Sequence, residues 1–496
     1  MMSLDRSQTV AQSDNHHTDV IKTSVHQTTN NDDAYTQNAG IIIIGAGMAG
    51  SRFAIELARA QLDSVHSHPP ITLISKEPHV GYNRIMLSPV LAGDTVFEET
   101  YLYDKSDYEQ LGITVLAGVS VDTIDTEQQY IELDNGQTLH YAKVVIATGS
   151  TARVIPFPNH TAKGVHVFRD STDVTTLAKY AHQGKTGIVI GGGVLGLEAA
   201  CALVGRGATM TVIHVDSYVL NAQLDLPAAE LLQAELSRRG VGLEVSANTE
   251  SIAINAAGEV CGLSLKDGRT LPADFIVMAV GVIPNTALAK DSGLEVNRGI
   301  VVDDCMHTSC PHVYAIGECV ELDGELFGML APVNQQVDTL VTVLKDTLVS
   351  DAAIASNDTL SNDRDSESSA LSQEHWQPFV SKPLSLKLKV SGIAAFSAGQ
   401  IAFDDSDAEN IETLVYRQPT LNHYHCLYLK DNKVVGAVLY GEVNDGSFYS
   451  QLIMDDVDIT PIKEALIFGE AYGDLDTLNP ISLENNTASD LVEEAS

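Results

Sequence analysis

Two stretches of the chain share the same order of apolar and polar positions. Each begins with an apolar run, at residues 41–44 and 187–190, and continues through a glycine cluster into an Ala- and Leu-rich segment. A second apolar run follows at residues 71–74 and 210–213. Short apolar runs next to glycine indicate buried strands, and the segments between them indicate helices. The pattern therefore predicts two βαβ units, each with a parallel sheet.

The glycine clusters share one spacing. They read G-x-G-x-x-G and comprise Gly45, Gly47 and Gly50 in the first copy and Gly191, Gly193 and Gly196 in the second. In a βαβ unit the first glycine permits the tight turn, the second lets the backbone approach a pyrophosphate, and the third lets the helix pack closely on the strand. The helix N-terminus then offers free N–H groups to the anion. One such motif is weak evidence, but two in strand-turn-helix context predict two dinucleotide sites.

The remaining stretches differ in composition. Residues 1–39, 350–378 and 473–496 are polar or acidic without apolar periodicity, so we expect a disordered tail, an acidic linker or insertion, and an acidic tail. Residues 379–472 contain alternating stretches that predict strands of a small α+β domain. The expected fold class is α/β, with two Rossmann-like dinucleotide-binding domains and this small C-terminal domain.

Charge and cysteine content restrict the possible partners and the compartment of the protein. The 496 residues carry 29 Lys and Arg against 66 Asp and Glu, a formal net charge of −37 that disfavours nucleic acid and anionic membrane surfaces as partners. The first forty residues lack an export signal pattern, and no apolar run reaches the roughly 20 residues of a membrane span. Six scattered cysteines do not form a disulfide framework. The expected compartment is the cytoplasm.

Three further strand ends carry small residues or an acid. They are Ala147, Thr148 and Gly149; Gly281; and Gly317 with Glu318. Together with the first glycine motif they resemble the flavoproteins of the pyridine nucleotide–disulfide oxidoreductase type. The resemblance implies that the first motif and residues 147–149 bind FAD, that Gly317 and Glu318 hold the ribityl chain, and that the second motif with Gly281 binds NAD(P)H. Glu318 stands where the family usually carries Asp.

Two residues are candidates for ribose contacts. Glu77 follows the strand at 71–74 and is predicted to bind the adenosine ribose of FAD. His214 closes the corresponding strand of the second site, where it is either a ribose contact or an ordinary strand-end histidine. No Arg or Lys lies between His214 and Leu226 to receive a 2′-phosphate, so NADH is favoured over NADPH.

Longer motifs resemble one branch of the family. Residues 77–93, 223–225, 297–302, 315–320 and 441–446 are similar to the FAD/NAD(P)H module of assimilatory nitrite reductase large subunits. Related ferredoxin and rubredoxin reductases often carry a lysine after the Leu-Ser pair, and Pro89 stands here instead. The resemblance implies that Arg84, Ser88 and Gln336 surround the flavin, although each is equally explained as a structural hydrogen-bonding residue.

This resemblance sets the expected domain boundaries. They are residues 40–155 and 284–349 for the FAD domain, 156–283 for the NAD(P)H domain, and 379–472 for the C-terminal domain.

The resemblance also sets the expected reaction. No cysteine precedes Cys201, so a disulfide relay is not expected, and the spacing of Cys305 and Cys310 is attributed to ordinary small residues. No grouped cysteines suit an iron–sulfur cluster, and no metal site is expected. We expect an enzyme that passes electrons from NAD(P)H through FAD to a separate acceptor, such as a sirohaem nitrite reductase component. The alternatives are a rubredoxin or ferredoxin reductase and a redox sensor or scaffold with little turnover. The oligomeric state, including a homodimer, stays open.

Overall fold

The computed structural model describes residues 40–62, 68–357, 378–380, 385–390, 392–404 and 409–472. The predicted tails at 1–39 and 473–496 lie outside these residues, as does most of the predicted linker.

The first domain is built around a parallel sheet. Its elements are β1 (Gly40–Ile44), α1 (Met48–Leu62), β2 (Ile71–Ser75), α2 (Leu87–Ala92), α3 (Lys105–Gln110), β3 (Thr114–Ala117), β4 (Val121–Asp125), β5 (Tyr130–Leu133), β6 (Thr138–Ile146) and β7 (Ser150–Ala152). The strand order is β3-β2-β1-β6-β5-β4, and β1 runs parallel to both of its neighbours. Four consecutive isoleucines of β1 are buried, as expected for a central strand covered on both faces.

The second domain repeats this arrangement. Its elements are β8 (Val165–Val167), α4 (Ser171–Tyr180), β9 (Thr186–Ile190), α5 (Val194–Gly205), β10 (Thr209–Ile213), α6 (Leu226–Arg238), β11 (Val241–Glu244), β12 (Thr249–Ile254), β13 (Val260–Leu265), β14 (Thr270–Pro272), β15 (Phe275–Met278) and β16 (Val282–Pro284). A parallel sheet runs β11-β10-β9-β15-β8, beside the antiparallel sheet β12-β13-β14. The two chain crossings between the domains, β7 and β16, pair with each other.

The chain then returns to the first domain. This part contains α7 (Ala287–Asp291), β17 (Ile300–Val301), β18 (Val313–Ala315), β19 (Val320–Leu322), β20 (Glu325–Leu326) and α8 (Leu330–Asn357). Strand β18 joins the first sheet beside β6. The predicted linker begins at residue 350, whereas α8 continues to Asn357. The segment contains Ala352, Ala353 and Ala355 and neither Gly nor Pro, so it favours helix despite its polar neighbours.

The C-terminal domain is a smaller α+β unit. It contains β21 (Ser385–Val390), β22 (Ile393–Gly399), β23 (Glu412–Gln418), β24 (His423–Lys430), β25 (Lys433–Tyr440) and α9 (Gly446–Met454). The antiparallel sheet runs β21-β22-β25-β24-β23. One face covers a core with α9, and the other packs against the second domain through Tyr424 and Tyr440.

The predicted fold class is confirmed by this arrangement. Phe379, placed by prediction at the start of the third domain, instead packs in the core of the first and contacts Phe327.

Candidate functional site

The three glycines of the first motif have different surroundings. Gly45 has a φ of +109°, and a Cβ there would lie 2.2 Å from the carbonyl oxygen of Ala147. A Cβ at Gly50 would lie 1.9 Å from the carbonyl oxygen of Gly45. At Gly47, by contrast, a Cβ would meet no atom of the chain within 4 Å. The fold therefore requires the outer two glycines, whereas the middle one faces open space.

The second motif repeats this division. Gly191 has a φ of +118°, and its Cβ would lie 2.2 Å from the carbonyl oxygen of Ala279. A Cβ at Gly196 would lie 2.1 Å from the carbonyl oxygen of Gly191, whereas Gly193 again has no neighbour within 4 Å. Each motif thus offers an open backbone surface at the N-terminus of a helix, α1 or α5, which is the geometry that suits a pyrophosphate.

The carboxyl ends of β1, β6 and β18 bring the other predicted FAD residues to the first motif. The N–H of Ala147 donates to the carbonyl of Ile44 at 2.8 Å, and the N–H of Ile316 donates to that of Ile146 at 3.0 Å. Gly317 has a φ of +91°, and its Cβ would lie 3.3 Å from the Cβ of Ala49 in α1. The predicted FAD residues of these three turns therefore lie at one edge of the sheet.

Two more predicted residues complete these turns. Thr148 donates its hydroxyl to the carbonyl of Asn285 at 2.9 Å, which ties the turn after β6 to the residue that directly follows β16. Gly149 has a φ of +63° and open space where a Cβ would be, so it can lie against a ligand.

Gln336 supplies a test of whether a ligand fits here. Its side chain is fully buried, and its Oε1 accepts the N–H of Gly317 at 2.7 Å. Its Nε2 is buried with no hydrogen-bond partner among the described residues. A buried donor without an acceptor costs about 1–3 kcal/mol. A ligand acceptor such as a flavin carbonyl or ribityl oxygen would satisfy it, so the site fits the group that the resemblance implies.

Glu318 has a partner that the sequence did not reveal. Its carboxylate accepts the Ser150 hydroxyl at 2.8 Å and forms an ion pair with Arg169, whose guanidinium also donates to Ser150 at 2.7 Å. Arg169 lies between β8 and α4 of the second domain. A basic residue just after a strand of the parallel sheet was the available signal, because ligands bind at this edge.

Glu77 and Arg84 form a second ion pair. The Glu77 carboxylate also accepts the Tyr82 hydroxyl at 2.6 Å, so both of its oxygens are occupied by the chain itself. Arg84 donates further to the carbonyl of Arg169 at 3.1 Å. The residues predicted for the adenosine ribose and for the flavin environment therefore share one network, and the role of Glu77 at the ribose stays a prediction.

Ser88 joins helix α2 to helix α5 of the second domain. Its hydroxyl donates to Oε2 of Glu198 at 2.7 Å. Burial, opposed by this hydrogen bond, raises the pKa of Glu198 above the usual range of a glutamate. Sequence reasoning missed Glu198, although an acid two positions after Gly196 in the otherwise uncharged helix α5 is a visible signal. Arg206 fastens the same two helices by donating to the carbonyls of Leu91 and Val90.

His214 lies directly after β10, as predicted, but both of its ring nitrogens are engaged. Nδ1 accepts the N–H of Gly192 at 3.2 Å, so Nε2 carries the proton and donates to Oδ1 of Asn221 at 3.2 Å. His214 thus supports the glycine loop, and its contact with a ribose stays a prediction. Gly281, with a φ of +99° and open space at its Cβ position, lies at the carboxyl side of β15.

All six cysteines are described, and no two of them form a disulfide bond. Burial raises the pKa of Cys319, which follows Glu318 and is fully enclosed. Burial and the charges of Asp304 and Asp303 raise the pKa of Cys305 to about 11. Neither residue is therefore a ready thiolate for a relay of electrons.

Two family models match the chain. The description "pyridine nucleotide-disulphide oxidoreductase" covers residues 39–340, and "rubredoxin NAD+ reductase C-terminal domain" covers residues 385–457. Among the described residues, the helices fall short of the length and apolar content that crossing a membrane requires.

Similar proteins include two from Bacillus subtilis (strain 168). The nitrite reductase [NAD(P)H] is 35% identical over 448 residues, which cover 90% of this chain and 50% of that protein. The assimilatory nitrate reductase electron transfer subunit is 35% identical over 435 residues, covering 88% and 52%. The chain thus spans about half the length of these relatives. A crystal structure of the covalent putidaredoxin reductase–putidaredoxin complex aligns with a TM-score of 0.71 at 21% identity, covering 91% of this chain and 98% of that one.

Proposed function

The chain belongs to the pyridine nucleotide-disulphide oxidoreductase family, and we propose that it is the electron-input module of a nitrite reductase system. In this proposal it takes electrons from NADH, holds them on FAD and passes them to a separate protein acceptor. The cytoplasm stays its predicted compartment.

The observation that carries the proposal is the pair of open glycine loops, with helix α2 fixed between them. Gly47 and Gly193 each face space that the chain leaves empty at a helix N-terminus. Helix α2 packs against α5, the helix that follows Gly193, and Ser88 bonds to Glu198 across the contact. Two dinucleotides bound at these loops would extend toward each other at the junction of the domains, as hydride transfer requires.

FAD supplies the chemistry, since it accepts a hydride from a nicotinamide and releases electrons to an acceptor. The proposed task of the protein is positioning. The first glycine motif and residues 147–149 hold the pyrophosphate and adenosine half, while Glu318 and Gln336 face the ribityl chain and flavin. The Arg169–Glu318 and Arg84–Glu77 pairs hold the carboxylates and guanidinium groups in place, with side chains only 19–25% exposed.

A separate acceptor is proposed because the six cysteines of the sequence include no group with the spacing of an iron–sulfur cluster. Burial raises the pKa of the Cys319 and Cys305 thiols, which disfavours the thiolate that a cysteine relay would need. The likeness to an electron transfer subunit supports the same division of labour.

The test compares acceptors with the purified, FAD-loaded chain. We expect NADH oxidation with ferricyanide, none with nitrite alone, and nitrite-dependent oxidation with ammonium as product once a sirohaem protein is added. The Gly193→Val variant is the control, because any NADH oxidation that it retains does not depend on the proposed NADH site. Ammonium formation from NADH and nitrite by the chain alone would contradict the proposal.

A rubredoxin or ferredoxin reductase is the second candidate, and the family match over residues 385–457 favours it. Fast NADH-driven reduction of rubredoxin or ferredoxin, with no coupling to the sirohaem protein, would select this function. Negligible turnover with every carrier would instead indicate a redox sensor or scaffold.

A further inference from the structure

A short surface loop between β17 and β18 gathers three different metal-binding side chains. Asp303, Cys305 and His307 each present one ligand atom, and these atoms all lie within 4.8 Å of one another. The loop is separate from the glycine motifs, and the oxidoreductase function makes no use of its side chains.

The loop conformation is fixed by the fold. Met306 is fully buried in the core of the first domain and has a φ of +67°, so its neighbours Cys305 and His307 stay near the surface on either side. The N–H of Asp303 donates to the carbonyl of His307 at 3.0 Å and closes the loop. The imidazole of His307 packs on the ring of Tyr314, with 5.1 Å between ring centres.

The Asp303 carboxylate has two distinct oxygens. Oδ1 accepts the N–H groups of Cys305 and His307, both at 2.9 Å, and so maintains the turn. The His307 ring nitrogen Nδ1 lies 3.0 Å from Oδ2 and 3.2 Å from Oδ1. A cation entering between Oδ2 and Nδ1 would replace the contacts of the imidazole with the carboxylate and leave the backbone bonds of the turn intact.

The donor set suits a particular cation. Thiolate, imidazole and carboxylate are the ligands of tetrahedral zinc, whose bond lengths place neighbouring ligand atoms about 3.3–3.6 Å apart. Oδ2 and Nδ1, 3.0 Å apart, would separate slightly, and any pair of ligand atoms at the 4.8 Å limit would approach by about 1 Å, within the reach of side-chain rotation. The carboxylates of Asp303 and the adjacent Asp304 attract a dication.

We propose that Asp303, Cys305 and His307 bind a zinc-like divalent cation, with water in the fourth position. The thiol proton of Cys305 leaves to solvent on binding, as coordination by sulfur requires. The proposal departs from the expectation from the sequence, which predicted no metal site and assigned this cysteine no role.

Cobalt(II) is the probe, added to the full chain with FAD bound. We expect one Co²⁺ per chain, an ultraviolet thiolate-to-cobalt charge-transfer band in the difference spectrum against the metal-free protein, and displacement of the cobalt by Zn²⁺. Cys305→Ser removes the charge-transfer band, whereas Cys310→Ser, which changes the neighbouring thiol, keeps it.

Asp303→Asn separates metal binding from folding. Asparagine keeps an oxygen that accepts the N–H groups of Cys305 and His307 but removes the negative charge, so cobalt affinity falls by about tenfold or more while FAD content and the thermal unfolding midpoint stay unchanged. The proposal is overturned if the wild-type chain shows no charge-transfer band, if the band persists in Cys305→Ser, or if Asp303→Asn binds cobalt as tightly as the wild type.

Discussion

Replacing the middle glycine of the first motif should remove FAD without unfolding the protein. Gly47→Val adds a side chain where no atom of the chain lies within 4 Å, and the backbone there is not left-handed. The free energy of unfolding of the ligand-free protein should therefore change by less than about 1 kcal/mol. Gly45→Ala is the contrast, because its Cβ would lie 2.2 Å from a carbonyl oxygen at a φ of +109°. That change should destabilise the fold itself by about 3 kcal/mol or more.

The loss of FAD affinity follows from the contact that the new side chain blocks. A backbone N–H at a helix N-terminus bonds to a charged phosphate oxygen, and such a bond contributes about 1.5–3 kcal/mol. Losing one of them raises the dissociation constant about 10- to 150-fold. Gly193→Val should have the same effect on NADH, raising its KM by a similar factor while FAD stays bound.

FAD affinity is measured by the flavin content after dialysis and by titration of the stripped protein with FAD. The stability of the fold is measured by circular dichroism with thermal unfolding. Full retention of FAD in a folded Gly47→Val protein would refute the assignment of the first motif. Loss of FAD in Gly193→Val, with reduction by NADH intact in the remaining holoprotein, would show that the two sites are reversed.

Two further predictions concern half-buried carboxyl groups beside the site. Burial, with the charge of Asp170, raises the pKa of Asp173 to about 6. The native state therefore binds more protons than the unfolded chain between about pH 4 and 6. As a result, the free energy of unfolding falls as the pH rises through this window. Asp173→Asn removes this loss of stability. A full two-unit pKa shift corresponds to roughly 2.7 kcal/mol, and solvent exposure reduces this to about 1 kcal/mol. Denaturant titrations should therefore show the free energy of unfolding of the variant rising by that amount relative to the wild type from pH 4 to 7, and equal pH slopes would contradict this. Burial favours the neutral form of Glu198, so the flavin of the Glu198→Gln variant should be reduced by NADH at nearly the wild-type rate. The Glu198→Ala variant loses the bond to Ser88, and its flavin should be reduced about 2- to 10-fold more slowly in stopped-flow measurements. A Gln variant slower than the Ala variant would show that the charged form is needed.

The glycine loops were predictable because their requirements are local. Gly45 and Gly191 need a positive φ in a turn whose place follows from the neighbouring apolar runs. Spacing alone also indicated the middle position of the motif as the open one, and a Cβ at Gly47 or Gly193 would meet no atom of the chain within 4 Å.

The polar partners were not predictable, because they come from distant parts of the chain. The Arg169–Glu318 pair joins residues 149 positions apart across two domains. Glu77 was assigned by its place after a strand, yet the loop that follows turns back and brings Arg84 and Tyr82 onto its carboxylate. The end of α8 was missed for another reason, since polar composition outweighed the helix-forming alanines near residue 353 in the prediction.

In the proposed function, the polar network lets one short segment support both dinucleotide sites. Between Glu77 and Leu91 the first domain contacts the second through Arg84 on the Arg169 carbonyl, Ser88 on Glu198, and the carbonyls of α2 under Arg206. These bonds join α2 to the helix behind the second glycine motif and to the arginine that holds Glu318. The separation of the two open loops is therefore set by side chains of this segment as well as by the paired crossings β7 and β16. A change at Arg84 or Ser88 should consequently disturb the binding of FAD and of NADH together, whereas a change in either glycine loop disturbs only one.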